Sequence, residues 1–220
     1  SNTERLNGLI QEIIDFRRME TGNKICIIKQ LSLGRIAKDM IESFTDVAER
    51  NNIKFETEFD HALIWNSDES CFVKIANNLL SNAFKYTSQN GRIELAVSEA
   101  EIDGRPYCLV TVSDNGVGIP DDLQQHVFDS FVTGKRIPQY STSIGLGLHI
   151  VKHTMGLHHG FVTLTSRVGE GSRFVLHIPM GLSHFAPGEY EMVPDPMKGD
   201  LLEECPAEER PMEEVVEEKN

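Results

Sequence analysis

Asn78, Asn82 and Lys85 stand at i, i+4 and i+7 in the 220-residue chain, with Tyr86 beside them. On a helix that spacing lays two amides and an ammonium along one narrow stripe. An amide oxygen is a hard ligand suited to Mg²⁺, which keeps water and phosphate oxygens in its shell, and Lys85 can balance phosphate charge. The same pattern also suits a solvated helix face. A second candidate is Asp114-Asn115-Gly116-Val117-Gly118-Ile119-Pro120. A carboxylate at a strand end accepts a hydrogen bond from an amino group such as that of adenine, and residues without a Cβ let backbone approach a flat ring. An ordinary Asn-Gly turn would read the same way. The third, Gly145-Leu146-Gly147-Leu148, opens a helix after a loop, and free amides there, with the helix dipole behind them, bind phosphate. No Gly-Lys-Ser/Thr follows it and no strand immediately precedes it, so it is neither a Walker loop nor a dinucleotide fingerprint. Gly169-Glu170-Gly171-Ser172 reads by itself as a hairpin turn.

These residues need elements to hold them. Leu6, Leu9, Ile10, Ile13, Ile14 and the stretch from Phe16 to Met19 recur at helical spacing and stop near Gly22. A second amphipathic helix is expected after Ser32, its N-cap, through Ile36, Met40, Phe44 and Val47 to Asn51-Asn52. Ile53, Phe55, Thr57 and Phe59 then alternate as a strand does, with a short extended piece at Leu63 to Trp65. From Asp68 to about Tyr86 a third helix carries a broad apolar arc, including Phe72, Ile75, Leu79 and Leu80, opposite the asparagine stripe. Two hairpins follow. The first joins Ile93–Val97 to Leu109–Val112 through Asp103-Gly104-Arg105-Pro106; the second joins Phe161–Leu164 to Phe174–Ile178 through Gly169-Glu170-Gly171. Between them residues 134–145 show no sustained period, which reads as a mobile loop, and a helix runs from Gly147 to about Met155. Helices grouped before and between antiparallel strand pairs predict an α+β two-layer sandwich rather than a doubly wound parallel sheet.

Charge narrows the function classes. Of the net charge of −13, −9 falls between Pro187 and Asn220, which also hold five of the nine prolines. That stretch reads as linker or disorder, and the acidic balance argues against nucleic acid as a ligand. No apolar run approaches a membrane span. The four cysteines, Cys26, Cys71, Cys108 and Cys205, have no paired spacing, which suits a reducing cytosol better than a disulfide or zinc framework.

Taken in order and spacing, the four pieces resemble the nucleotide-binding motifs of sensor histidine kinases: the asparagine box, the successive glycine boxes, and an aromatic box at Phe128 and Phe131. The resemblance covers about Leu31 to Met180. The opening segment through Phe16-Arg17-Arg18-Met19-Glu20-Thr21-Gly22 resembles the end of that family's second dimerisation helix. The fold it implies is the two-layer α/β sandwich of the histidine kinase ATPase type, a mixed sheet covered on one face by helices. The site it implies binds ATP and Mg²⁺. Asn78 and Asn82 serve the metal, Lys85 the phosphates, Tyr86 the adenine face and Asp114 the adenine amino group. Gly116, Gly118 and Ile119 line the base, Gly145, Leu146, Gly147 and Leu148 meet the phosphates, Ser172 joins the set, and Thr133 to Ile144 form a lid. Asn82 and Lys85 are the expected catalytic pair.

This sequence departs from the pattern in places. Ser143 replaces a glycine at the end of the lid, and Val132-Thr133 replaces an aromatic-basic pair, leaving Lys135 or Arg136 to contact phosphate. None of the eight histidines sits on the opening helix or precedes an acid, so the phosphoacceptor lies elsewhere. His158-His159 reads as a packing or surface pair, and no metal beyond the nucleotide's Mg²⁺ is expected. The chain divides into 1–22 (end of a dimerisation helix), 23–182 (catalytic domain) and 183–220 (acidic tail). The expected whole is a homodimeric, membrane-associated sensor whose kinase part lies in the cytoplasm, passing phosphate from ATP to a histidine and on to a receiver aspartate. Two rivals remain: a serine kinase of the anti-sigma type, and a nucleotide-sensing module without catalysis.

Overall fold

A computed structural model of the chain describes residues 25–59, 64–132 and 145–193, together with residues 10, 13, 14 and 17. Those four are helical, and Ile10, Ile13 and Ile14 are exposed. The loop expected at 133–144, with Ser143, Lys135 and Arg136, lies outside the described residues, as does the acidic stretch beyond 193.

The chain enters through β1 (Cys26–Ser32) and α1 (Leu33–Arg50). Ser32 is the N-cap of α1 with extended backbone, as its type suggests, but its side chain makes no capping bond. Asn52 turns the chain in the left-handed region (φ 52°) into β2 (Lys54–Phe59). After β3 (Ile64–Ser67), Asp68 starts α2 (Glu69–Tyr86) by accepting from the Cys71 amide at 3.0 Å. Its other oxygen accepts from the Ile27 amide at 3.1 Å, so one buried carboxylate caps the helix and ties it to β1.

The first hairpin is longer than its apolar core suggests. β4 (Arg92–Ile102) and β5 (Arg105–Asp114) meet at Asp103-Gly104, both at positive φ, the two-residue turn whose twist matches paired strands. A short helix, α3 (Asp121–Gln124), then α4 (Gly147–Leu157), β6 (Phe161–Arg167), β7 (Gly171–Pro179) and β8 (Tyr190–Met192) complete the order. The main sheet runs β2-β4-β5-β7-β6, antiparallel except for the parallel β2–β4 pair. Ile93, Leu95, Val97, Val110, Val112, Phe174 and Leu176 point from it into one core with Ile36 and Met40 of α1, the apolar arc of α2, and Val151 and Met155 of α4. Each such fully buried side chain contributes roughly 1.5–3 kcal/mol. The opposite face of the sheet carries Glu94, Ser113, Arg173 and Thr165 in one cross-strand row. The fold is therefore the expected two-layer α+β sandwich.

Of the second sheet, β3-β1-β8, only β3 overlaps an expected extended piece, that at Leu63 to Trp65. β1 pairs antiparallel with β3 (Leu31 opposite Trp65) and parallel with β8 (Ile28 opposite Met192). Its run Cys26-Ile27-Ile28-Lys29-Gln30-Leu31 does not alternate cleanly, because its buried positions, Cys26, Ile28 and Leu31, are not evenly spaced. β8 places residues 190–192 on the sheet, ten positions past the expected domain end at 182. Among the described residues no helix is long and apolar enough to cross a membrane.

Candidate nucleotide site

α2 runs the length of the site. Asn78 and Asn82 lie on its middle turns and Tyr86 closes it, eight residues or about 12 Å from Asn78 at the helical rise. That is comparable with the length of an extended nucleoside triphosphate.

At the Tyr86 end, three chain segments meet at backbone distance. Val117 donates to the Tyr86 carbonyl at 3.2 Å, and a Cβ on buried Gly116 would collide with that same carbonyl. Gly171, at φ +106°, is pressed on the carbonyl of Asp114, where no side chain fits. The pairing of β5 with β7 sets Asp114 opposite Ser172. The Asp114 carboxylate accepts from the Gly116 amide at 2.9 Å and from the backbone amide of Ser172. Burial pushes its pKa above the usual carboxylate value, and the two amides partly offset the shift. An ionised carboxylate only accepts, so this end suits a ligand amino group. Ile119 packs against the core, and its amide is held by Ser166 of β6 at 2.8 Å.

At the other end, α4 begins against the asparagine stripe. A Cβ on Gly147 would lie 2.8 Å from Asn78 Oδ1 and 3.9 Å from Asn82 Nδ2, so the glycine lets the helix start there. Asn78 Nδ2 donates to the Lys74 carbonyl at 2.9 Å, which commits its donor side and leaves Oδ1 on the Gly147 side. Leu146, buried, is the N-cap but has no side chain that could cap, and the first turn holds no acid. The leading amides of α4 thus form an anion-binding end. Gly145 (φ +79°) accepts from the Phe131 amide at 3.0 Å, and Leu148 packs on the core.

The structure thus joins Asn78, Asn82 and Gly147 in one place, and Tyr86, Asp114, Gly116 and Ser172 in another. Lys85 Nζ sits 4.9 Å over the centre of the Tyr86 ring. Phe128 packs edge-on against Phe174, so that half of the aromatic box belongs to the core, while Phe131 is exposed at positive φ. His158 is buried and Glu189 holds His159 at 2.8 Å, in keeping with packing and surface roles.

Among the described residues no three His, Cys, Asp or Glu side chains group to hold a metal. A metal here would depend on amide oxygen and on the phosphates of a ligand. The Oδ1 of Asn78 offers the oxygen donor that Mg²⁺ prefers, so the residues present fit that ion.

Residues 67–182 match the histidine kinase-, DNA gyrase B- and HSP90-like ATPase family. The chain belongs to this family. The ATPase domain is similar to the sensor histidine kinase TmoS of Ectopseudomonas mendocina, 30% identical over 81% of this chain and 18% of that protein. It is also similar to the sensor histidine kinase RppB of Synechocystis sp., 28% identical over 80% of this chain and 38% of that protein. The chain therefore spans less than two fifths of either relative. Among solved structures, the nucleotide-free catalytic domain of histidine kinase ThkA superposes at TM-score 0.60, with 25% identity over 69% of this chain and 97% of that one. Full-length ShkA, solved with AMPPNP, superposes at TM-score 0.70, with 24% identity over 80% of this chain and 36% of that one. The ATPase domain is an ATP-binding catalytic domain of the histidine kinase type.

Two residues of the site escape sequence reasoning. Ser166 on β6 and Gln124 on α3 bond to Ile119, yet each reads in sequence as an ordinary polar residue on a solvated face. Only the approach of β6 to the loop after β5 brings Ser166 in, while Gln124 reaches back five residues to Ile119 from α3.

Proposed function

We propose that this domain transfers the γ-phosphoryl group of Mg-ATP to a histidine on a dimerisation helix outside these 220 residues, for onward transfer to a receiver aspartate. The observation that carries the reading is the contact of α4's first turn with the asparagine stripe, on the same helix whose last residue meets the Asp114 loop. One helix thereby aligns an amino-group acceptor with an anion-binding helix end.

Asp114 accepts from the adenine amino group while Gly116, Gly118 and Ile119 bring backbone against the base. Gly145 to Leu148 present amides to the phosphates, and Lys85, whose Nζ stands over the Tyr86 ring, balances phosphate charge. Mg²⁺, held through Asn78 and Asn82 with the nucleotide, would neutralise charge on the phosphate oxygens. Phosphoryl transfer rests on positioning and charge neutralisation, which these residues supply without covalent chemistry of their own. The full protein acts as a homodimer at a membrane, with this domain in the cytoplasm.

The test supplies a separate helix pair bearing a histidine, of the dimerisation type found in histidine kinases, together with labelled Mg-ATP. Acid-labile, base-stable phosphate should appear on that histidine and none on the present chain. Labelling of a serine on a partner protein would instead favour the serine kinase, and ATP binding without transfer would favour the sensing module.

A further inference from the structure

The loop that carries Asp114 to Ile119 is fastened to β6 by more than backbone. The Ser166 hydroxyl donates to the Gly171 carbonyl at 2.8 Å and accepts from the Ile119 amide at 2.8 Å, with Ser172 Oγ 3.0 Å away. A hydroxyl has a single proton. With Ser166's committed to Gly171, the Ser172 hydroxyl must donate to Ser166, which leaves the Ser172 oxygen as an acceptor. Gln124 Nε2 closes the arrangement from α3, donating to the Ile119 carbonyl at 2.8 Å and sharing its protons with the Ser166 carbonyl and Asp121 Oδ1, both at 3.1 Å. Both peptide groups of Ile119 are thus pinned by side chains, and Gly169 donates to the Val117 carbonyl at 2.9 Å alongside.

We propose that Ser166 and Gln124 are positioning residues for recognition of the base, acting through Ile119 and through the proton direction at Ser172. Neither needs to touch the nucleotide. Ser166 orients Ser172 as a second acceptor next to Asp114, and Gln124 keeps the Ile119 peptide from rotating. Two acceptors side by side match the amino group of adenine and oppose the carbonyl that guanine presents at the equivalent position. This rests on the reading of the Asp114 end as the adenine site.

The experiment measures Mg-ATP and Mg-GTP affinity by calorimetry for the full chain and for Ser166→Ala, Ser166→Thr and Gln124→Glu, with thermal melts beside them. Gln124→Glu keeps the shape but turns a carboxylate toward two carbonyls and Asp121. Ser166→Ala and Gln124→Glu should each weaken ATP roughly tenfold and shrink the preference for ATP over GTP. Ser166→Thr, which keeps the hydroxyl, should stay near wild type. Unchanged ATP affinity in both variants overturns the proposal, as does equal weakening of ATP and GTP with threonine no better than alanine. If Ser166→Ala does not fold, Gln124→Glu decides by the same criterion. Wild type binding neither nucleotide would remove the adenine reading and this proposal with it, whereas tight ATP binding by wild type and variants alike removes this proposal alone.

Discussion

The two ends of the site are built in different ways. At the end proposed for the base the Asp114 carboxylate is clamped by amides from its own loop and from β7, the loop is stitched to β6, and glycines stand where any Cβ would strike backbone. At the end proposed for the phosphates, α4 starts with no side-chain cap and no acid in its first turn, beside the amide oxygen of Asn78. The first is complete within the protein. The second has hydrogen-bonding capacity that an anion and its metal would fill. A rigid base pocket gives selectivity, because a misplaced acceptor cannot follow a wrong base, while a phosphate end short of partners makes ligand and metal part of its own structure.

The largest effect should come from breaking the rigid end directly. Gly171→Ala puts a Cβ against the Asp114 carbonyl at a backbone angle that side chains avoid, which combines strain with overpacking and should cost on the order of 3–5 kcal/mol. Thermal or urea unfolding measures it. A variant as stable as wild type would mean the base end is far looser than its contacts indicate.

Asp114→Asn comes next. Loss of a charged hydrogen bond should weaken ATP by roughly ten- to hundredfold, from about 1.5–3 kcal/mol, with the fold retained. Equal binding of ATP and GTP by wild type would remove the adenine role from Asp114.

The phosphate end is probed by metal. Asn78→Ala and Asn82→Ala should each reduce the gain in ATP affinity on adding Mg²⁺ by roughly tenfold while leaving affinity without metal nearly unchanged. Calorimetry with and without Mg²⁺ separates the two. If metal makes no difference to wild type, the amide stripe is only a polar helix face and the contrast between the ends disappears.

The smallest effect is on pH. Burial raises the pKa of Asp114, so the empty folded domain takes up a proton there more readily than the unfolded chain. This group therefore favours the fold below its unfolded pKa, and that contribution is lost as pH rises through the raised folded value. With Asp114 in its proposed adenine role, ATP binding has the opposite dependence, because the amino group needs the ionised carboxylate. Affinity should fall on mild acidification, beginning at a higher pH than an ordinary aspartate would give, and Asp114→Asn should flatten the profile.

Much of this was legible without coordinates. Helical period placed α2 and its asparagine stripe, Asp68 and Tyr86 marked its ends, and alternation with Asp-Gly and Gly-Glu-Gly turns located both hairpins. Such signals are local, since a cap, a turn and a periodic face each depend on residues a few positions apart. β1 and β8 were hidden because a strand of seven residues and one of three have meaning only once they pair across more than 160 positions of chain. The same limit covers Ser166, which meets Ile119 across 47 positions, and the contact of Gln124 with the Ser166 carbonyl across 42. A serine on an alternating strand and a glutamine on a four-residue helix carry no mark of the loop they hold. The residue types that can bind a nucleotide were set by the sequence itself. Which of them share a hydrogen bond was decided by strand order and by the closeness of β6 to the Gly116–Ile119 loop, because hydrogen bonds act over about 3 Å and the chain covers that distance only after it folds.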